Sequence, residues 1–186
     1  MKHFQQIHAG LDVAPLLLAI KQHPELWDQF TPRKIAPATP HAAMSDIWVR
    51  YNDIRKFADG DLTHFNDPHY PIWYPAYDAL PQLRPIIFGL MARVEAVQLG
   101  GVLITKIPPG GRIEPHVDHG WHVEHFNTKL YVVLQSNPAC FNRVEDETVS
   151  MQAGDVFWFD NTVDHEVWND GDDDRITLIV CTRRDR

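Results

Sequence analysis

Cysteine is nearly absent from this chain: two residues among 186, Cys140 and Cys181. Both fall in apolar stretches, where a free cysteine behaves as a small buried hydrophobe. The chain is therefore no disulfide scaffold, and a reducing, cytoplasmic setting is expected. Basic clusters are missing as well. The 17 lysines and arginines face 25 acidic residues, for a net charge of −8, and no Lys/Arg cluster stands out beyond Arg183-Arg184. Nucleic-acid binding gains no electrostatic support from this balance, and an acidic surface reads first as solubility. Long hydrophobic runs are lacking too. The stretch from Val13 to Ile20 is broken by Pro15 and far too short to span a bilayer, and Met1-Lys2-His3-Phe4 carries no signal core. No membrane association is expected. Neither an internal repeat nor a low-complexity tract occurs.

What is present describes one globular domain over residues 1–186, with 44% hydrophobic residues and 11% aromatics. Residues 11–30 read as helical, with Pro15 in a first turn and an apolar stripe of Leu16, Leu17 and Ile20. A loop spaced by Pro32, Pro37 and Pro40 follows, and Ile47–Tyr51 reads as a short strand. Asp59 to Pro81 reads as a long aromatic loop, a feature that packs on something or covers a site. Residues 82–98 form the clearest helix, with Leu83, Ile86, Ile87, Leu90, Met91, Val94 and Val97 on one face and Gly100-Gly101 as its stop. After Gly101 the pattern changes to eight short strands: 102–107, 112–117, 128–135, 139–144, 147–151, 155–159, 163–168 and 175–182. Turn signals such as Pro108-Pro109-Gly110-Gly111 and Asn169-Asp170-Gly171-Asp172 separate them. Eight short strands without an intervening helix imply a sandwich or barrel. The expected organisation is thus a helical and loop support over 1–100 and a β core over 101–186.

His116 and Asp118 stand two apart at the end of one of these strands, and side chains two apart in a strand face the same way, so both can point into a barrel. His165, in a later strand, is the expected third ligand. Two imidazoles and one carboxylate that leave open positions suit non-haem Fe(II). Arg175, ten residues beyond His165, is placed to grip the carboxylate of a 2-oxo acid cosubstrate. Its direction depends on the connection between the two strands, taken as a hairpin. An odd loop puts Val163, His165, Val167, Arg175 and Thr177 on one inner face, whereas a two-residue Asp170-Gly171 turn sends Arg175 to the other. The odd loop is the expectation, because an inward guanidinium then has a ligand to hold. His119, His122 and His125 lie in an expected loop after Asp118, where histidine is more often surface or substrate-facing. His165-Glu166-Val167-Trp168-Asn169 fails as a zinc-protease motif because Asn169 stands where the second histidine is needed. The acidic run Asp170, Asp172, Asp173 and Asp174 lacks EF-hand spacing and reads as a solvated turn.

Three segments carry a family resemblance: Pro108-Pro109-Gly110-Gly111-Arg112-Ile113-Glu114-Pro115-His116, Gly154-Asp155-Val156-Phe157-Trp158-Phe159-Asp160, and His165 to Asn169. With Arg175 leading into Leu178-Ile179-Val180, the stretch Ile107–Thr182 resembles the aspartyl/asparaginyl β-hydroxylases, which are Fe(II)- and 2-oxoglutarate-dependent oxygenases. The resemblance implies a mainly β, double-stranded β-helix (jelly roll, cupin-like) with N-terminal helices in support. It implies metal binding by His116 and His165, and Arg175 on the 5-carboxylate of 2-oxoglutarate. Lys129 stands where the family often has a basic or polar residue and is a candidate for the cosubstrate's other carboxylate, with a snorkelling surface lysine as the alternative. The animal enzymes that name the family have a small residue in place of the carboxylate ligand, whereas this chain has Asp118, as do similar free-proline hydroxylases.

The expected activity is hydroxylation of an amino acid or of an aspartyl/asparaginyl-type residue in a peptide or protein. Trp48, Arg50, Tyr51, Trp73, Tyr74, Tyr77, Trp121 and His122 are candidates for the substrate side, with core packing as the competing role for the aromatics. An inward Arg50 would favour an acidic substrate. Two other readings stay open: a cupin-type metalloenzyme that does not use 2-oxoglutarate, and a non-catalytic barrel used for binding.

Overall fold

A computed structural model describes residues 1–36, 39–57 and 60–185. Pro37 and Asp59, which the sequence assigned to loops, lie outside the described residues. In chain order the elements are β1 (Phe4–His8), α1 (Ala14–Gln22), α2 (Pro32–Ile35), β2 (Ser45–Tyr51), β3 (Ile72–Trp73), α3 (Ala76–Ala79) and α4 (Leu83–Arg93). Then come β4 (Gln98–Ile107), β5 (Arg112–His116), α5 (Trp121–His125), β6 (Thr128–Gln135), β7 (Cys140–Val144), β8 (Glu147–Val149), β9 (Val156–Phe159), β10 (His165–Asn169) and β11 (Arg175–Arg183). All eight strands expected after Gly101 occur, as β4 to β11.

Two antiparallel sheets make a double-stranded β-helix: seven strands in the order β1-β9-β6-β11-β4-β2-β3, and four in the order β5-β10-β7-β8. The large sheet is covered on both faces. Even-numbered residues of its central strands (Val102, Ile104, Leu130, Val132, Leu178, Val180) join Leu16, Ile20, Leu83 and Ile87 of the helices in an outer core. Odd-numbered residues (Leu103, Tyr131, Val133, Ile179) face the other way and join Trp48, Phe157 and Phe159 inside the barrel. This is the period-two pleat at work in a sheet with no solvent side, which is why the strands read as continuous apolar runs. Among the described residues, no helix is long and apolar enough to cross a membrane.

Three sequence expectations need correction. The helix expected over 82–98 ends at Arg93, where Glu95 takes φ of 55° and the Ala96 amide donates to the Met91 carbonyl at 2.9 Å. That reversal closes the helix without a glycine, leaving Val97 exposed. Gly100 and Gly101 therefore sit inside β4 rather than stopping a helix. A Cβ on Gly100 would lie 2.5 Å from the Phe126 ring, and one on Gly101 would lie 3.0 Å from the Tyr51 ring. These glycines admit close neighbours. The helical reading of 11–30 holds only for 14–22, followed by a short 3-10 turn at Pro24–Leu26. The support region also contributes three strands, and β1 (Phe-Gln-Gln-Ile-His) was not foreseen because an edge strand with polar, exposed glutamines lacks apolar alternation.

The glycine environments give a paired test. Gly100→Ala should lower the unfolding free energy by about 1–3 kcal/mol through overpacking against Phe126. Gly89→Ala lies on the exposed side of α4, where an added Cβ would meet nothing within 4 Å. It should raise the unfolding free energy by roughly 0.4–1 kcal/mol. Denaturant melts of the two variants check both signs.

Candidate metal centre

His116, Asp118 and His165 converge at one end of the barrel, each brought there by a different local device. His116 ends β5, an edge strand whose register against β10 is irregular: His165 faces His116, but Val167 faces Ile113. β5 therefore contains one residue more than β10 over this span, at Glu114-Pro115. That bulge lets Ile113 and His116 share the inner face, which strict alternation would forbid for an odd and an even position. Asp118 lies just beyond the strand, so the same-face argument for two positions of one strand does not place it; its amide donates to the Asn161 carbonyl at 3.0 Å. His165 opens β10 and is buried.

The donor atoms are arranged for a shared ion. One ligand atom from each residue lies within 4.8 Å of the others, with Asp118 Oδ1 at 3.4 Å from His116 Nε2 and 4.0 Å from His165 Nε2. Such separations suit donors that each bond one first-row cation at about 2.0–2.2 Å. His116 Nδ1 contacts the Glu114 carbonyl at 2.7 Å and His165 Nδ1 the Val163 carbonyl at 2.9 Å. A carbonyl only accepts, so each Nδ1 carries the hydrogen, which in the neutral form of the ring leaves the Nε2 lone pair free for a metal. Burial pushes His165 down to about 4, assisted by the Lys129 charge and opposed by Asp118, so this ring is neutral at pH 7. Burial alone would raise the Asp118 carboxyl. The Lys129 ammonium, through its charge and its hydrogen bond, outweighs it and holds Asp118 well below the usual carboxylate range. The metal-binding form of the aspartate is thus present at neutral pH.

A narrow pocket of about 10 Å³ lies inside the barrel beside His116 and His165, with Arg175 and Thr177 in its lining. Arg175 is 2% exposed. It donates to Asn142 Oδ1 at 2.7 Å, and among the described residues it has no carboxylate within ion-pair distance. Burial draws its pKa down, since the charged form has lost its water. The Thr177 hydroxyl beside it is buried without a hydrogen-bond partner. A buried guanidinium and an orphaned hydroxyl in one pocket are costly unless a ligand satisfies both. The expected route to this placement does not hold, although the placement does. β10 and β11 form no hairpin, because they belong to different sheets. Arg175 faces inward because odd positions of β11 do, as Ile179 shows.

Lys129 is largely enclosed on the same inner face, its side chain 14% exposed, and donates to Asp118 Oδ2 at 2.6 Å; it is not a snorkelling surface lysine. Its pKa is raised, burial being overcome by Asp118. Above the triad opens a chamber of about 510 Å³, whose wall includes Tyr51, Trp121 and His122. His122 Nε2 accepts from the Gly101 amide at 3.2 Å, and burial pushes this imidazole down to about 3, with His69 and Lys129 adding to the shift. Arg50 and Trp73 do not reach the chamber. Arg50 donates to the Pro71 and Leu99 carbonyls and lies over the Trp73 ring, which in turn stacks on Tyr77. A register shift between Trp48 and Arg50 turns Tyr51 inward in its place. Trp48 and Tyr74 belong to the barrel core.

The site also contains residues that sequence reasoning missed. Arg33, held by Asp46 at 2.8 Å, and His41, edge-on to His116 at 5.3 Å, line both spaces. Burial takes His41 down to about 2, with the charges of Arg33 and Lys129 adding to it. Both come from the proline-rich segment before β2, which carries no periodic signal. Asn142 and Asn161 escaped notice as single polar residues in or beside strands, and Thr177 was expected on the inner face but given no role.

The fold and the site define a cupin-like barrel with a two-histidine, one-carboxylate cluster at its mouth. The chain belongs to the aspartyl/asparaginyl β-hydroxylase family, whose model matches residues 74–185. A Burkholderia pseudomallei oxidoreductase of the 2OG-Fe(II) oxygenase family superposes with a TM-score of 0.54 at 10% identity, over 77% of this chain and 67% of that one. A cupin domain from Bordetella pertussis aligns at 18% identity over 47% of this chain and 83% of its own, with a TM-score of 0.37. A cupin superfamily protein from Desulfitobacterium hafniense aligns at 13% identity over 48% of this chain and 71% of its own, with a TM-score of 0.36. No curated protein matches the sequence.

The donor geometry yields a direct expectation. The purified protein should take up one equivalent of Mn(II) or Ni(II) per chain in a calorimetric titration, and His165→Ala should abolish that uptake. Binding that survives the substitution would place the ion elsewhere.

Proposed function

We propose that this chain is an Fe(II)- and 2-oxoglutarate-dependent oxygenase that hydroxylates an amino acid, or an aspartyl/asparaginyl-type residue of a peptide or protein. The observation that carries the reading is the pocket floor. Arg175 is a buried cation without a carboxylate partner among the described residues, next to a hydroxyl without a partner, and the pocket they line lies beside His116 and His165. A dicarboxylate answers both deficits. Its distal carboxylate would accept the two parallel N–H bonds of the guanidinium and the Thr177 hydroxyl. Asn142 keeps the guanidinium turned toward that position.

The donor set fits iron: His116 Nε2, His165 Nε2 and Asp118 Oδ1 would hold it on one face. When bound, iron supplies the coupling of O₂ and 2-oxoglutarate to a substrate C–H bond, giving C–OH, succinate and carbon dioxide. The protein does the rest by placement. Arg175 and Thr177 fix the far end of the cosubstrate, and Lys129 offers positive charge where its near end would lie. The chamber bounded by Tyr51, Trp121 and His122 is of a size for a small molecule or one residue of a peptide. Its aromatic walls offer apolar contact, and the His122 ring, held neutral by burial, adds a hydrogen-bonding group without charge.

The test is succinate formation from 2-oxoglutarate with Fe(II), ascorbate and oxygen, screened across free amino acids and short peptides. Arg175→Lys keeps the charge but loses the fork, and should raise the KM for 2-oxoglutarate roughly 10- to 100-fold, the loss expected for a charged hydrogen-bond pair. His116→Ala should abolish turnover. Substrate oxidation that proceeds without succinate would instead favour a cupin-type enzyme independent of 2-oxoglutarate.

A further inference from the structure

The two oxygens of Asp118 have different partners, and that division has a cause in the chain. Oδ1 faces His116 and His165. Oδ2 accepts from Lys129 Nζ at 2.6 Å and from Asn161 Nδ2 at 2.8 Å. Asn161 also takes the Asp118 amide on its backbone carbonyl at 3.0 Å. We propose that Asn161 is the positioning residue of the metal centre: it fixes which carboxylate oxygen meets the ion and holds the loop that presents it. This inference rests on the reading of the triad as a metal site.

Lys129 cannot do this work alone. An ammonium is a compact point charge with rotatable donors, and either carboxylate oxygen satisfies it equally. Asp118 sits past the end of β5, where no strand pairing fixes its backbone. Left to the lysine, the carboxylate could turn about its last torsion, which is broad and roughly two-fold. Asn161 removes both freedoms. Its planar amide comes to Oδ2 from a second direction, and its carbonyl ties down the Asp118 backbone.

Asn161 is itself well fixed. It belongs to the turn between β9 and β10, in which Asp160 Oδ1 accepts from the Thr162 amide at 3.1 Å and the Thr162 hydroxyl at 2.6 Å. The Asp160 amide in turn donates to the His3 carbonyl at 3.0 Å. The same turn supplies the Val163 carbonyl that orients His165. One short segment thus sets two of the three ligands. Partners of metal ligands commonly contribute 10- to 100-fold in affinity.

The experiment is a double-mutant cycle read by Ni(II) affinity, with calorimetry on the purified full chain. Ni(II) is used because it binds such sites more tightly than Mn(II) or Fe(II), which keeps weakened sites within range. Asn161→Ala should weaken binding roughly 10- to 100-fold. In an Asp118→Ala background the same substitution should change affinity by less than about 2-fold, because its effect passes through the carboxylate. At saturating Co(II), the visible absorption of Asn161→Ala should differ from that of the wild type, a change that general loosening of the fold would not produce. Wild-type affinity and an unchanged Co(II) spectrum in Asn161→Ala overturn the proposal. So does an equal loss in both backgrounds, which would mark Asn161 as structural only. If the wild-type chain takes up no Ni(II), or if His165→Ala binds it equally well, the triad reading itself fails and this proposal falls with it.

Discussion

A sheet covered on both faces has no solvent side, so any polar side chain within it must find a partner in the protein or in a ligand. The central strands of this barrel are in that position. Even-numbered residues are sealed under the helices and odd-numbered ones point into the interior. Lys129, Arg175 and Thr177 are odd. Lys129 meets Asp118 and Arg175 meets Asn142, while the Thr177 hydroxyl meets no partner among the described residues. At the floor of the pocket, that remaining deficit marks where something else belongs.

Much of this was legible in the sequence because its signals are local. Eight strands followed from turn residues and β-rich runs, and the triad followed from a period-two spacing joined to a histidine further along. Direction was harder to read. Arg175 faces inward for a reason different from the one expected, since β10 and β11 lie in separate sheets and no hairpin parity links them. Gly100-Gly101 looks like a helix stop and is a place where rings press against a strand. A dipeptide cannot distinguish a left-handed turn from a close approach without knowledge of the neighbour. Asn161 and Arg33 were illegible for the same reason: their roles exist only through partners distant in the chain.

Charge organises the site as closely as packing does. Three cations, Arg33, Lys129 and Arg175, surround the narrow pocket, and one carboxylate, Asp118, stands at its mouth. Arg33 is neutralised by Asp46, and Lys129 is shared with Asp118. Of the three, Arg175 alone keeps an uncompensated charge among the described residues. The gradient runs from a compensated mouth to an uncompensated floor.

The turn between β9 and β10 has a consequence for how the molecule comes together. It is held from behind by the segment before β1, and β1 itself zips along β9, with Phe4 opposite Phe159. The first strand of the chain thus completes a sheet whose partner is among the last strands made. Pairings of such long sequence separation close late and slowly. The turn so held carries the Asn161 groups that meet Asp118 and the Val163 carbonyl that meets His165. The geometry of the candidate cluster therefore depends on a pairing between segments far apart in the sequence.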